Sequence, residues 1–184
     1  MELIGPYLAA CLLLVAAGAA KVARPDDTAR AVAAVVSMPL RRLRAVVRVG
    51  AAAEAALGAI ALVFPSPVTA GLVAASYLGF AGFVALARAR GGPLATCGCF
   101  STPDTPATRT HVALTLGFAV SAAGVAAGVS AGWITHVLGD EPWRGVPVAL
   151  LGVLCAWLAY LAMTRLATLG ATRRALGIAR GASA

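Results

Sequence analysis

Five long, nearly uncharged apolar runs, at about 4–22, 46–64, 68–87, 112–134 and 146–164, occupy most of the chain. Each is close to the roughly 20 residues that a helix needs to cross a hydrocarbon core of about 30 Å. The shorter ones can be accommodated by modest thinning of the bilayer or by snorkelling. In lipid every backbone N–H and C=O must be satisfied within the protein, which leaves only helices or a closed barrel. Alanine, glycine and leucine dominate the runs and no sustained strand-like alternation occurs, so helices are expected. Composition agrees: 60% of the 184 residues are hydrophobic and only 12% are charged, against about a quarter in soluble domains. The expectation is an all-α, polytopic integral membrane bundle of about five transmembrane helices. A single domain spans 1–184, with residues 165–184 as a basic amphipathic tail.

The sequence begins Met1-Glu2-Leu3, and its first basic residues, Lys21 and Arg24, follow the first apolar run. That order suits a retained first span better than a cleaved signal peptide. The net charge of +8 does not point to nucleic acid, because the basic residues lie between spans. In a five-span arrangement all of them except Arg144 fall on one side of the membrane. The positive-inside rule then puts the N-terminus out and the C-terminus in, with the basic loops facing anionic lipid.

Within the first connection, Pro25-Asp26-Asp27 reads as a helix stop followed by a new start, with acids at the new N-terminus. Residues 28–37 are expected to form a short interfacial helix ending before Pro39. Pro65-Ser66-Pro67 is a tight turn that makes spans two and three an antiparallel hairpin. In span four, Gly124, Gly128 and Gly132 form a GxxxGxxxG row, which lets helices approach closely in lipid. The partner is either another span of the same chain or a second copy in a homodimer.

Reactive chemistry is concentrated in Cys97-Gly98-Cys99-Phe100, in the Gly/Pro/Thr-rich third connection, 88–111. A disulfide closed across one residue is a small, strained ring, which glycine tolerates. Such a bond is suited to exchange rather than to stapling. Two ionisable residues belong to the same half of the membrane: Lys21, ending the first span, and Glu54, inside the second. Charges in spans are costly and face the bundle interior or one another, so a Lys21–Glu54 pair is expected; Glu54 could alternatively pair with Arg48. An ammonium stabilises a thiolate, and a carboxylate can accept or deliver its proton. Cys11 and Cys155 lie at similar depth in the opposite half and could pair if helices one and five touch, although buried free cysteines commonly serve as small hydrophobes.

Four features in order resemble the MauE family, in the broader MauE/DoxX group of redox-associated membrane proteins. They are Lys21 followed by Pro25, Glu54 followed by Gly58, Cys97-Gly98-Cys99-Phe100 after an arginine-flanked span, and Arg109 opening the next span. The resemblance covers about residues 1–130, and the fifth span only by hydropathy. One departure is Ser101, where family members usually carry glycine. The resemblance implies a thiol–disulfide redox factor working with a thioredoxin-like protein, as the family's namesake does in maturing the disulfide-rich small subunit of methylamine dehydrogenase. It makes Cys97 and Cys99 the exchanging thiols. Lys21 and Glu54 would then tune or accompany proton transfer, Arg109 would stabilise a thiolate, and a quinone is a candidate terminal acceptor.

The arginine distribution places the cysteine loop on the cytoplasmic side, whereas disulfides of exported proteins form outside. Two other classes stay in view. One is a non-catalytic assembly subunit that uses its glycine-rich helices for packing. The other is a metal site in which Cys97, Cys99 and His111 hold Cu(I) or zinc. With one nearby histidine and no second cysteine pair, no metal is expected, and His111 reads as a polar residue at the interface.

Overall fold

A computed structural model describes residues 3–33, 36–90, 108–128, 142–166 and 169. Among these residues six helices follow one another: α1 (Ile4–Ala23), α2 (Asp26–Ala33), α3 (Leu40–Val63), α4 (Pro67–Arg90), α5 (Arg109–Ala126) and α6 (Pro142–Leu161). The last runs into a π-helical turn at Ala162–Leu166. There is no strand among the described residues, as expected of an all-α membrane bundle. Among the described residues four segments are long and apolar enough to cross a bilayer: Ile4–Ala23, Leu40–Val63, Pro67–Leu86 and Gly145–Arg165. Of the expected fourth span, 112–134, α5 covers the part up to Ala126 and a turn follows at 127–128; residues 129–134 lie outside the described residues, as does most of the expected tail, 165–184.

The breaks between helices have local causes. Arg24 leaves helical geometry at φ −133°, ψ 76°, its N–H still bonded to the Ala20 carbonyl. The following Pro25 disfavours helix at the residue before it. Asp26 and Asp27 then occupy the first turn of α2, where the helix dipole favours negative charge. Between α3 and α4, the Ser66 hydroxyl accepts the Thr69 N–H at 3.1 Å and the Thr69 hydroxyl accepts the Ser66 N–H at 2.9 Å. This reciprocal cap, with Pro67 at the first helical position, fixes the start of α4.

Helix α1 is the centre of the bundle: half of its spanning window is buried, against 17% for α3. It packs against α3, α5 and α6, while α4 packs most extensively on α5. Helices α1 and α3 run antiparallel and very close. A Cβ on Gly18 would lie 2.6 Å from the Ala51 carbonyl oxygen, and one on Gly58 would lie 2.9 Å from that of Cys11. With lipid as apolar as the side chains, close packing of this kind is what holds helices together. The outward faces carry Val49, Val68, Val120 and Leu150, all largely exposed, as a lipid-facing surface requires.

The turn at residues 64–66 is tight as read and α3 and α4 touch, though α3 packs more extensively on α1 and α4 on α5. Two expectations need correction. The second spanning helix begins at Leu40 rather than near 46, because its first turns project beyond α1, bury Leu43 and meet α2 through an Arg44–Asp26 ion pair. The glycine row is not a continuous helical face. Gly124 faces Leu3, whereas Gly128 lies past the end of α5 at φ +77°, and Gly132 lies outside the described residues. At Gly124 the partner is therefore the same chain, through Leu3 at the head of α1.

Candidate functional site

Lys21 stands in the last turn of α1 and is only 5% exposed. The glycine-mediated approach of α1 and α3 brings its ammonium onto the carboxylate of Glu54, to which Nζ donates. Arg48, the alternative partner considered for Glu54, is exposed. On its other side Nζ lies 4.5 Å from the centroid of the Phe80 ring, within range of a cation–π attraction. Phe80 meets Tyr77 edge-on, with centroids 5.9 Å apart, and Tyr77 in turn contacts Phe118 of α5 at 5.3 Å. The Tyr77 hydroxyl donates to the Ala10 carbonyl at 2.7 Å, which ties α4 to α1. A cleft lined by Leu13, Leu14, Ala17, Lys21, Tyr77, Phe80 and Met163 lies beside the ion pair.

A second polar group sits where α5 begins. Nδ1 of His111 accepts the Thr108 N–H at 3.4 Å and lies 2.8 Å from the Thr108 hydroxyl. With that nitrogen engaged as an acceptor, the ring N–H is left for its other partner, the Met163 carbonyl. His111 is thus buried, 2% exposed, and not the interfacial residue expected. It joins the start of α5 to the π-helical turn after α6. Arg109, two residues earlier, is exposed.

Tyr77 meets Ala10 and Phe80 meets Lys21, in the same order along the two helices, so α1 and α4 run parallel. The C-terminal ends of α1 and α4 and the N-terminal end of α5 therefore share one end of the bundle. Lys21, Glu54 and Arg109 lie toward that end, and among the described residues Arg109 forms no ion pair with Glu54, whose partner is Lys21. Cys97 and Cys99 fall between α4 and α5, outside the described residues. Cys11 and Cys155 are both free thiols. Cys11 is buried in the core and Cys155 packs against the same cluster; α1 and α6 do touch, and both cysteines are small apolar residues of that contact. No cluster of three metal-ligating side chains occurs among the described residues.

The sequence reading missed Tyr77, Phe80 and Met163. Tyr77 and Phe80 were detectable as an i, i+3 aromatic pair, which shares one helical face. Met163 had no such signal.

The family model described as methylamine utilisation protein MauE matches residues 2–133. The chain belongs to the MauE family. The match takes in Lys21, Glu54, the Cys97-Gly98-Cys99 string, Arg109 and His111, and it ends before α6. Together with four span-capable helices, membership makes the chain a multi-pass membrane protein. No curated protein and no solved structure matches it.

Proposed function

We propose that this protein is a membrane-embedded thiol–disulfide redox factor that supports maturation of a partner protein. The observation that carries the reading is the Lys21–Glu54 pair, buried between spanning helices at the end of the bundle from which α4 leads into the Cys97-Gly98-Cys99 segment. Ionisable groups inside a membrane domain are costly and mark functional sites by default. MauE membership supplies the class of chemistry.

In the proposed cycle, a thiolate of the Cys97/Cys99 pair attacks the disulfide of a thioredoxin-like partner. A mixed disulfide forms and one partner thiolate leaves. The second cysteine then resolves the mixed disulfide, closing Cys97–Cys99 and releasing the reduced partner; the reverse sequence transfers the disulfide outward. Lys21 and Glu54 hold and return the proton shed on thiolate formation, and Arg109 lowers the energy of the thiolate. A disulfide-rich subunit such as that of methylamine dehydrogenase is the kind of client the family implies. The arginine distribution orients the chain with its N-terminus outside and its cysteine segment facing the cytoplasm.

Thiol labelling with a membrane-impermeant maleimide, with and without prior reductant, tests both the chemistry and the side. The expected result is labelling of Cys97 and Cys99 only after permeabilisation, and more strongly after reduction. Full labelling as free thiols under oxidising conditions, without reductant, contradicts the redox role.

A further inference from the structure

We propose that the outward face at the start of α3 holds one anionic phospholipid, its phosphate seated over Ala45 between Arg41, Arg42 and Arg48. Arg41 and Arg42 lie four and three residues before Ala45, and Arg48 and Val49 lie three and four after it. At those spacings all four neighbour Ala45 on one side of the helix. All five residues are exposed, while Leu43 and Ala51, on the other side, are buried. The small Ala45 side chain leaves room between two arginines above it and one below.

Charge in this region does not balance within the chain. The carboxylates among the described residues are Asp26, Asp27 and Glu54, and each already has a cation: Arg44, Arg30 and Lys21 respectively. Arg41, Arg42 and Arg48 are left without a carboxylate partner among the described residues. Like charges one turn apart on a helix repel. Arg41 and Arg42 also stand in the first turn of α3, which holds no acid, where the helix dipole disfavours cations. A bound anion relieves both conflicts at once, and guanidinium groups pair with phosphate oxygens through two parallel hydrogen bonds.

Depth in the membrane selects a lipid as the source of that anion. Gly18 of α1 faces Ala51 and Ala55 of the antiparallel α3, so the end of α1 at Ala23 comes level with about Arg48. Arg41 and Arg42 then lie about 10 Å further out, a distance close to the thickness of a headgroup layer. Apolar side chains are exposed alongside them. Val49 is 71% exposed, and Val36, Met38, Leu40 and Val46 are exposed as well. Arginines mixed with uncovered apolar side chains suit the boundary between headgroups and acyl chains, whereas a purely soluble anion would leave the apolar side chains in water. Below Val49 the same face continues with the exposed Ala52 and Ala56, a smooth surface for an acyl chain. The Arg44–Asp26 ion pair ties α2 beside this face, and the lipid fixes the depth of α3 two turns above Glu54.

Native mass spectrometry of the full-length protein in detergent, titrated with dioleoylphosphatidylglycerol, tests the site. One saturable lipid is expected, bound more tightly than dioleoylphosphatidylcholine and equally well by the Cys97→Ser/Cys99→Ser variant. Given the attraction of one basic residue to an anionic lipid surface, Arg41→Gln, Arg42→Gln and Arg48→Gln should each weaken binding about fivefold, and all three together about a hundredfold. Ala45→Glu keeps every arginine but places a carboxylate among them, and should abolish the preference over phosphatidylcholine. A charge-matched control, Arg173→Gln/Arg174→Gln/Arg180→Gln, should bind as wild type does. Equal weakening by the control and by the Arg41, Arg42 and Arg48 triple variant would reduce the effect to net charge and overturn the site. An undiminished preference for phosphatidylglycerol in the folded Ala45→Glu variant overturns it too. Displacement of the lipid by an equal concentration of inorganic phosphate or of polyglutamate would make the ligand a soluble anion or an acidic protein segment, and overturns the assignment to lipid.

Discussion

Two ion pairs in this chain use similar groups in opposite settings. Arg30 and Asp27 are three residues apart on α2, and the arginine side chain is 62% exposed. Lys21 and Glu54 are 33 residues apart on different helices, with side chains 7% and 26% exposed. The first is a local pair on a short helix, of a kind that contributes about 0–1 kcal/mol and is screened by salt. The second must offset the desolvation of two charges, and pairs of that kind seldom add net stability over an apolar substitute. Charge at the rim of this bundle reports on its surroundings, whereas charge within it has to be explained by use.

The largest expected effect follows directly. Lys21→Met or Glu54→Leu alone leaves an uncompensated charge between α1 and α3 and should destabilise by about 3 kcal/mol. The double variant should recover most of that loss in a thermal-denaturation cycle. Additive losses would mean that the two groups are not coupled. Next is the seam that brings them together. Gly18→Leu forces a side chain into the Ala51 and Ala55 backbone and should cost about 1–3 kcal/mol or more. Gly79→Leu on α4, where a Cβ meets nothing within 4 Å, should be close to neutral in the same assay. His111→Ala deprives the Met163 carbonyl of its donor, for a loss of about 1–2 kcal/mol, with faster hydrogen exchange at the start of α5. Smallest of all, Asp27→Asn should cost less than about 1 kcal/mol. Added salt should erase that difference while leaving the deficit of Glu54→Leu largely in place.

Much of the architecture could be read from the sequence because lipid imposes it. Uninterrupted apolar runs have to become helices, and Lys21 and Glu54, stranded within them, have to find each other. Pro25 and Ser66-Pro67 punctuate the chain by local rules that need no tertiary context. Helix partners were harder to read. The spans are apolar on every side, so their pattern does not say that α3 should lie on α1 rather than on α4. That choice is made by Gly18 and Gly58, whose neighbours are backbone atoms of another helix. Gly124 and Gly128 illustrate the converse: regular spacing suggested one face, but the helix ends between them. His111 was misplaced for a related reason, since its acceptor is a carbonyl some fifty residues away in a π-helical turn that no local pattern announces.

The central claim is that the buried ion pair serves the cysteine chemistry rather than the fold, and the Lys21→Met/Glu54→Leu variant separates the two. Acid-trapping followed by a mass-shifting thiol reagent would measure the redox state of Cys97 and Cys99 in cells carrying wild type or this variant. The expected result is a mixed dithiol and disulfide pool in wild type. In the variant, folded to comparable levels, that pool should be locked in one state. An unchanged thiol–disulfide ratio in the folded variant would contradict the claim.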